Sequence, residues 1–180
     1  MMLSIQQRYL LDVLKCLGCA RREQLYRLAA GNSDLPGGGT KSNHVDAMLR
    51  QLRYCIGEVR LDGELVYYGR SSPDAQRLEA VDVMLELTDG KPMDFHLDQS
   101  EDLLLRFTLE SEGGLRLFGV ARYRVQRAHL LTALPVSRTE RIIFLADKAE
   151  LPYGLILPYK HFFALRQNNG THRFFGGGDQ

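Results

Sequence analysis

The 180-residue sequence has no tryptophan, only three cysteines and no long apolar run. Three cysteines are too few for the disulfide framework of a small secreted protein, so we expect a reducing, cytoplasmic location. The longest unbroken apolar segment is five residues, 142–146, whereas a membrane span needs about 20. No basic stretch leads into an apolar core at the first residues, so we predict neither a membrane span nor a secretory signal.

The net charge of +1 conceals an uneven distribution. Residues 1–70 carry ten Lys and Arg against seven Asp and Glu, and residues 113–180 carry ten against four. Between them, residues 71–112 carry only three basic side chains against eleven acidic ones. The two flanks therefore attract a polyanion and the middle repels it, so any contact with nucleic acid is expected outside the acidic segment.

Three helical patterns precede residue 56. Apolar residues at helical spacing predict a first helix with Ser4 as its N-cap and Gly18 as its end. A second, shorter helix is predicted over residues 20–29, followed by a glycine-rich loop at residues 31–39. Thr40 or Ser42 is the expected N-cap of a third helix that runs to about Cys55.

The third helix is predicted to be amphipathic. Its apolar stripe points to a core and consists of Val45, Met48, Leu49, Leu52 and Ile56. The opposite stripe consists of Asn43, Ala47, Arg50 and Tyr54, with Lys41, His44, Gln51 and Arg53 on its flanks. The outward face is therefore polar and mostly cationic.

The rest of the chain predicts an α+β fold. Residues 57–68 indicate a β-hairpin with a type I′ turn at Asp62-Gly63. A helix at 73–87 is followed by a sheet of about four strands, predicted at residues 103–109, 115–123, 141–145 and 155–159. We expect an N-terminal domain at 1–70 and an α+β domain at 71–180.

The polar face of the third helix suits recognition of double-stranded DNA. An α-helix fits the major groove, where Asn pairs with adenine and Arg with guanine through two hydrogen bonds. Asn43, His44 and Arg50 are the expected base-contacting residues. The expected phosphate-contacting residues are Lys41, Ser42, Arg53 and Arg60.

The first 70 residues resemble the winged helix-turn-helix family. The likeness is carried by residues 21–28, residues 42–52 and the hairpin that ends in Tyr67-Tyr68. In more detail they are similar to the replication-relaxation group of mobile-element proteins, which join such a module to a C-terminal α/β domain. The resemblance implies a regulator, for example of transcription, or an accessory factor of a mobile element. One departure is the long glycine-rich insertion before the third helix.

Two other function classes remain open. Winged helices also serve as protein–protein interaction modules, since a fold does not fix a function. Pro73-Asp74 and Asp89-Gly90-Lys91 match the letters of a PD-(D/E)xK nuclease, a metal-dependent fold seen in the same group. The intervening helix would hold these groups about 20 Å apart, so this second alternative is a degenerate nuclease-like domain with no catalytic residues.

No cofactor or metal is predicted. Cys16 and Cys19 have zinc-like spacing, but a structural zinc usually takes two such pairs. The arginines of the C-terminal third are expected on a solvated face; the alternative is that they bind DNA or dock the acidic segment 74–112. Residues 71–180 are the expected surface for a homodimer or a protein partner.

Overall fold

The computed structural model describes residues 2–35, 41–137, 139–147 and 155–176. It divides into two compact units, the first running through Leu78 with Asp89–Lys91 added, the second taking Glu79–Thr88 and the chain from Pro92. The fold class is α+β, as predicted. None of the described helices is long and apolar enough to span a membrane.

The first unit contains three helices and a small antiparallel sheet. Its elements are α1 (Ile5–Leu17), β1 (Cys19–Arg21), α2 (Arg22–Gly31), α3 (Ser42–Cys55), β2 (Val59–Asp62) and β3 (Leu65–Tyr68). The strands are ordered β1-β3-β2, so the β2–β3 hairpin gains a third strand from the residues that precede α2. All three helices bury leucines in the core of this unit.

The predicted first helix is confirmed at both ends. The Ser4 side chain accepts a hydrogen bond from the N–H of Gln7, whose own side chain accepts one from the N–H of Ser4. This capping box satisfies two N–H groups that have no partner within the helix. At the other end, the N–H of Gly18 donates to the carbonyl of Leu14.

Three local predictions in this unit are wrong. The second helix begins at Arg22 rather than residue 20, because Cys19–Arg21 pairs with β3 as a strand. Ser42 is the first helical residue of α3, and Lys41 holds the N-cap position without a side-chain hydrogen bond; Thr40 and the rest of the 36–40 loop lie outside the described residues. The third wrong prediction is the type I′ turn of the β2–β3 hairpin.

The hairpin turn uses one left-handed residue instead of two. Asp62 pairs with Leu65, so the turn residues are Gly63 and Glu64. Gly63 has φ +55, and Glu64 is not among the described residues with positive φ. A type I′ turn requires positive φ at both central positions, whereas a single positive φ at the first fits type II′.

The second unit is built on a six-stranded mixed sheet. Its elements are most of α4 (Ala75–Leu87), then β4 (Asp94–Leu97), β5 (Leu103–Ser111), β6 (Gly114–Arg122), a 3-10 helix (Val125–Ala133), β7 (Arg141–Ala146), β8 (His161–Arg166) and β9 (His172–Gly176). The strands are ordered as they occur in the chain, with β6, β7 and β8 parallel and the other neighbours antiparallel.

The prediction of a four-stranded sheet is therefore wrong. Residues 155–159 form no strand; Pro158 has no N–H to donate to a sheet, and β8 begins only after it. β4 was missed because the strand is only four residues long and none of them is buried. β9 was missed because its aromatic residues lead directly into a glycine-rich tail, of which residues 177–180 lie outside the description.

Aromatic side chains fill the core of the second unit. Tyr123, Phe144, Tyr159 and Phe163 are buried together with aliphatic neighbours, and the ring of Tyr123 meets that of Phe163 edge-on at 5.7 Å. The Tyr159 hydroxyl donates to the carbonyl of Leu131 at 2.6 Å, and burial raises its pKa to about 12. Tyr159 and Phe163 thus belong to the core of the second unit.

Arginines of the second unit pair with the acidic segment. Arg127 contacts Glu101 at 2.7 Å and Asp102 at 3.1 Å, and Arg124 lies 3.8 Å from Glu101. Both arginines remain partly exposed to solvent while they pair with these acids. The pairs follow the alternative in which the basic side chains dock the acidic segment.

Candidate nucleic-acid interface

Helix α3 has one buried and one exposed face, as predicted. Val45, Leu49 and Leu52 are fully buried and Met48 nearly so. Because these residues recur every three or four positions, they lie on one side of the helix and fix it against the core of the first unit. Ile56, predicted to extend this stripe, instead follows the end of the helix and is half-buried.

The three predicted base-contacting residues are exposed and share this helix. Asn43 and Arg50 are exposed on α3, with Ala47 half-buried between them. Arg50 Nε donates to the carbonyl of Asp46 in the preceding turn at 3.3 Å. His44 Nε2 lies 3.3 Å from the side-chain oxygen of Gln6 on α1, so His44 sits on the side of the exposed face that borders α1.

Asp46 is the one carboxylate in the α3 sequence, and it is neutralised. Nη1 of Arg22, on α2, donates to Asp46 Oδ1 at 2.8 Å, and the hydroxyl of Tyr26 donates to the same oxygen at 2.8 Å. Desolvation alone would lower the pKa of Arg22, but the hydrogen bond and charge of Asp46 outweigh it and raise that pKa. The outward charge of α3 is consequently cationic.

Arg22 also joins the hairpin to α2 and α3. Its Nε donates to the carbonyl of Gly63 in the turn at 2.8 Å, and its main-chain N–H donates to the carbonyl of Glu64 at 2.8 Å. One side chain thus contacts both the hairpin turn and Asp46 on α3. The sequence did not predict these two contacts, because Arg22 lies 24 positions from Asp46 and 41 positions from Gly63.

The four predicted phosphate-contacting residues occupy the ends of α3 and the adjacent hairpin. Lys41 and Ser42 are exposed at the helix start, where the Lys41 side chain makes no capping hydrogen bond. Arg53 is exposed in its last turn. Arg60 is exposed on β2 and lies across the sheet from Tyr67. The structure therefore distributes cations along the helix and onto one hairpin strand.

Acidic side chains on the hairpin were not weighed from the sequence. Glu58, Asp62 and Glu64 are exposed on or beside it. The Glu58 carboxylate accepts a hydrogen bond from the Tyr68 hydroxyl at 3.0 Å. Because carboxylates repel phosphate, only part of the hairpin surface suits a polyanion.

The residues considered for nuclease chemistry, Asp74, Asp89 and Lys91, lie at the two ends of helix α4. Asp74 accepts hydrogen bonds from the N–H groups of Gln76 and Arg77 and so begins α4. Asp89 and Lys91 follow the other end of that 13-residue helix, which spans about 20 Å. Among the described residues, no group of three His, Cys, Asp or Glu side chains is arranged to hold a metal ion.

The three cysteines carry free thiols. Cys19 is buried on β1, and burial raises the pKa of its thiol. A raised pKa keeps the thiol protonated, and a protonated thiol is a poor nucleophile.

No protein-family model, no curated protein and no solved structure matches the chain.

Proposed function

We propose that the first unit is a winged helix-turn-helix and that the protein binds double-stranded DNA without catalysing a reaction. In this proposal α3 enters the major groove, where Asn43, His44 and Arg50 contact bases. Lys41, Ser42, Arg53 and Arg60 contact phosphates on either side. The cellular role is that of a cytoplasmic regulator or accessory factor, for example of a mobile element.

The observation that carries the proposal is the charge of the exposed α3 face. Asn43 and Arg50 lie outward on the helix, while its single carboxylate, Asp46, is bound to Arg22. A helix whose exposed donors are Asn and Arg presents the groups that read adenine and guanine edges. The order helix, strand, helix, helix and hairpin also fits the winged-helix arrangement.

The contact between Arg22 and the hairpin further supports the proposal. A winged helix needs its hairpin held in a fixed place beside the reading helix, so that both reach the duplex together. Arg22 meets this need because it bonds the Gly63 carbonyl and the Asp46 carboxylate at once. The acids Asp62 and Glu64 repel phosphate near the turn, so the hairpin contact depends on Arg60.

The test is selection of a binding site from a random duplex library, followed by fluorescence anisotropy with the selected site. We expect Arg50→Ala with Asn43→Ala to weaken binding of that site at least tenfold and leave the melting temperature unchanged. Arg8→Ala, an exposed arginine on α1, is the control and keeps the affinity. Equal binding by the wild type and the double variant would contradict the assignment.

The alternative of an interaction module has a different outcome. It predicts that the wild type shifts no duplex even at low salt, while a protein partner is retained in a pull-down that Arg50→Ala abolishes. A homodimer or partner contact through residues 71–180 stays a prediction, and sedimentation equilibrium of the full chain measures it directly.

A further inference from the structure

A cleft in the first unit lies between the last turn of α3, the hairpin and the segment before α4. Its volume is 480 Å³. The polar and aromatic side chains of its lining are Arg53, Arg60, Asp62, Tyr67, Ser71 and Ser72. Two guanidinium groups and three hydroxyl groups therefore belong to the lining of one space, against a single carboxylate.

The Arg60 guanidinium is held in place within this cleft. Its central carbon lies 5.2 Å from the centre of the Tyr67 ring, and Nη2 donates to the carbonyl of Ser71 at 3.2 Å. The ring and the carbonyl fix the direction of the side chain while engaging only part of its five N–H donors. The remaining donors are available to an acceptor in the cleft.

Arg53 supplies the second guanidinium. It is exposed, and within the described parts of the chain it has no ion-pair partner. Arg53 follows Arg50 by three residues, so the two are neighbours on the helix surface. A duplex that contacts Arg50 therefore has a strand backbone within reach of Arg53.

We infer that this cleft binds one backbone phosphodiester of the duplex, shared by Arg53 and Arg60. The inference rests on the proposed function and deepens it, because it makes the helix end and the hairpin contact the same phosphate. A phosphodiester carries one negative charge and only accepts hydrogen bonds. Two arginines and one aspartate give the cleft a matching charge of +1 and a surplus of donors.

The salt dependence of duplex binding tests this sharing. Each phosphate contact contributes about 0.9 to the slope of log affinity against log salt concentration. Arg53→Gln with Arg60→Gln is expected to lower that slope by about 0.9, whereas two separate phosphates would lower it by about 1.8. Arg8→Gln on α1 is the control and keeps the slope.

A second variant moves the affinity in the opposite direction. Asp62→Asn removes the one carboxylate of the cleft with almost no change of shape, so it should strengthen duplex binding about threefold at low salt. Asp12→Asn, an exposed acid on α1, is the control and should have no effect. A gain for Asp62→Asn with a slope loss near 0.9 for the double arginine variant supports the inference.

The opposing outcomes separate the two proposals. If the wild type binds duplex but the slope falls by about 1.8, or Asp62→Asn has no effect, the shared phosphate is wrong and the DNA-binding function stands. If the wild type binds no duplex, both fail. If the arginine variant keeps its duplex slope but loses binding of inorganic pyrophosphate, the cleft takes a free anion, and the shared phosphate is wrong while the DNA-binding function stands.

Discussion

Nδ1 of His172 lies 2.9 Å from one oxygen of the Glu86 carboxylate, and the His172 main-chain N–H donates to the other oxygen at 2.9 Å. Nε2 lies 3.2 Å from Glu79 on the same helix, and the imidazole is fully buried. Ionised carboxylates only accept hydrogen bonds, so this geometry suits an imidazolium, which donates from both ring nitrogens. In its protonated form His172 joins the edge strand β9 to α4.

This arrangement predicts that stability falls at alkaline pH. Desolvation would lower the pKa of His172, but hydrogen bonds and charges of Glu79 and Glu86 outweigh it and raise that pKa above the ordinary value of 6.5. A raised folded-state pKa gives stability that is complete below about 6.5 and is lost as pH rises through the folded value. Urea denaturation across about pH 5–9, a range that brackets the ordinary histidine pKa, measures the loss of unfolding free energy.

The matching variant is His172→Gln, which leaves two carboxylates beside an uncharged side chain. We expect a loss of about 3 kcal/mol of unfolding free energy near pH 6 and a weaker dependence on pH than the wild type. The other charged group beside His172 in the sheet is Arg166, its exposed partner on β8. Arg166→Gln should retain the wild-type pH profile, and an unchanged profile in His172→Gln would refute the explanation.

A second prediction concerns Asp46, which accepts hydrogen bonds from Arg22 and Tyr26. Asp46→Ala removes both, and bonds to a charged group contribute about 1.5–3 kcal/mol, so a loss within that range is expected in urea denaturation. Asp12→Ala is the control, since its carboxylate is exposed and 4.0 Å from Lys15. The loss for Asp12→Ala should stay below about 0.5 kcal/mol. Similar losses in both variants would show that the hydrogen bonds of Asp46 do not stabilise the first unit.

A third prediction concerns Gly119, in the middle of β6. A Cβ there would lie 2.8 Å from Cδ1 of Ile142, 2.9 Å from Cδ1 of Leu103 and 3.0 Å from the buried Glu140 carboxylate. Gly119→Ala should therefore cost about 1–3 kcal/mol through overpacking. Gly57→Ala is the matched control and should not cause overpacking, because a Cβ at Gly57 meets nothing within 4 Å. Equal melting temperatures for the two variants would contradict the prediction, because they would show that the neighbouring side chains make room for the added methyl group.

The sequence predicted those elements whose signals are local. The Ser4 cap, the apolar stripe of α3 and the glycine in the hairpin turn, Gly63, each depend on residues a few positions apart. Strands β4 and β9 could not be predicted, because short edge strands are defined by pairing with distant partners. The same holds for the candidate site: exposure of Asn43 and Arg50 follows from helical periodicity, whereas the neutralising bond from Arg22 to Asp46 depends on tertiary packing.

The last prediction separates base reading from charge at Arg50. Arg50→Lys keeps one positive charge but loses the planar pair of donors that fits the O6 and N7 acceptors of guanine. We expect the selected site to lose about 1–3 kcal/mol of binding free energy, while random duplex keeps its affinity and its salt dependence. Arg53→Lys should behave differently, because a phosphate accepts a lysine as well as an arginine, so its preference for the selected site should persist. Anisotropy titrations of both variants with both duplexes decide the question. If Arg50→Lys keeps its preference for the selected site, as Arg53→Lys is expected to, Arg50 contacts phosphate rather than a base, and the reading surface must shift toward Asn43 at the start of α3.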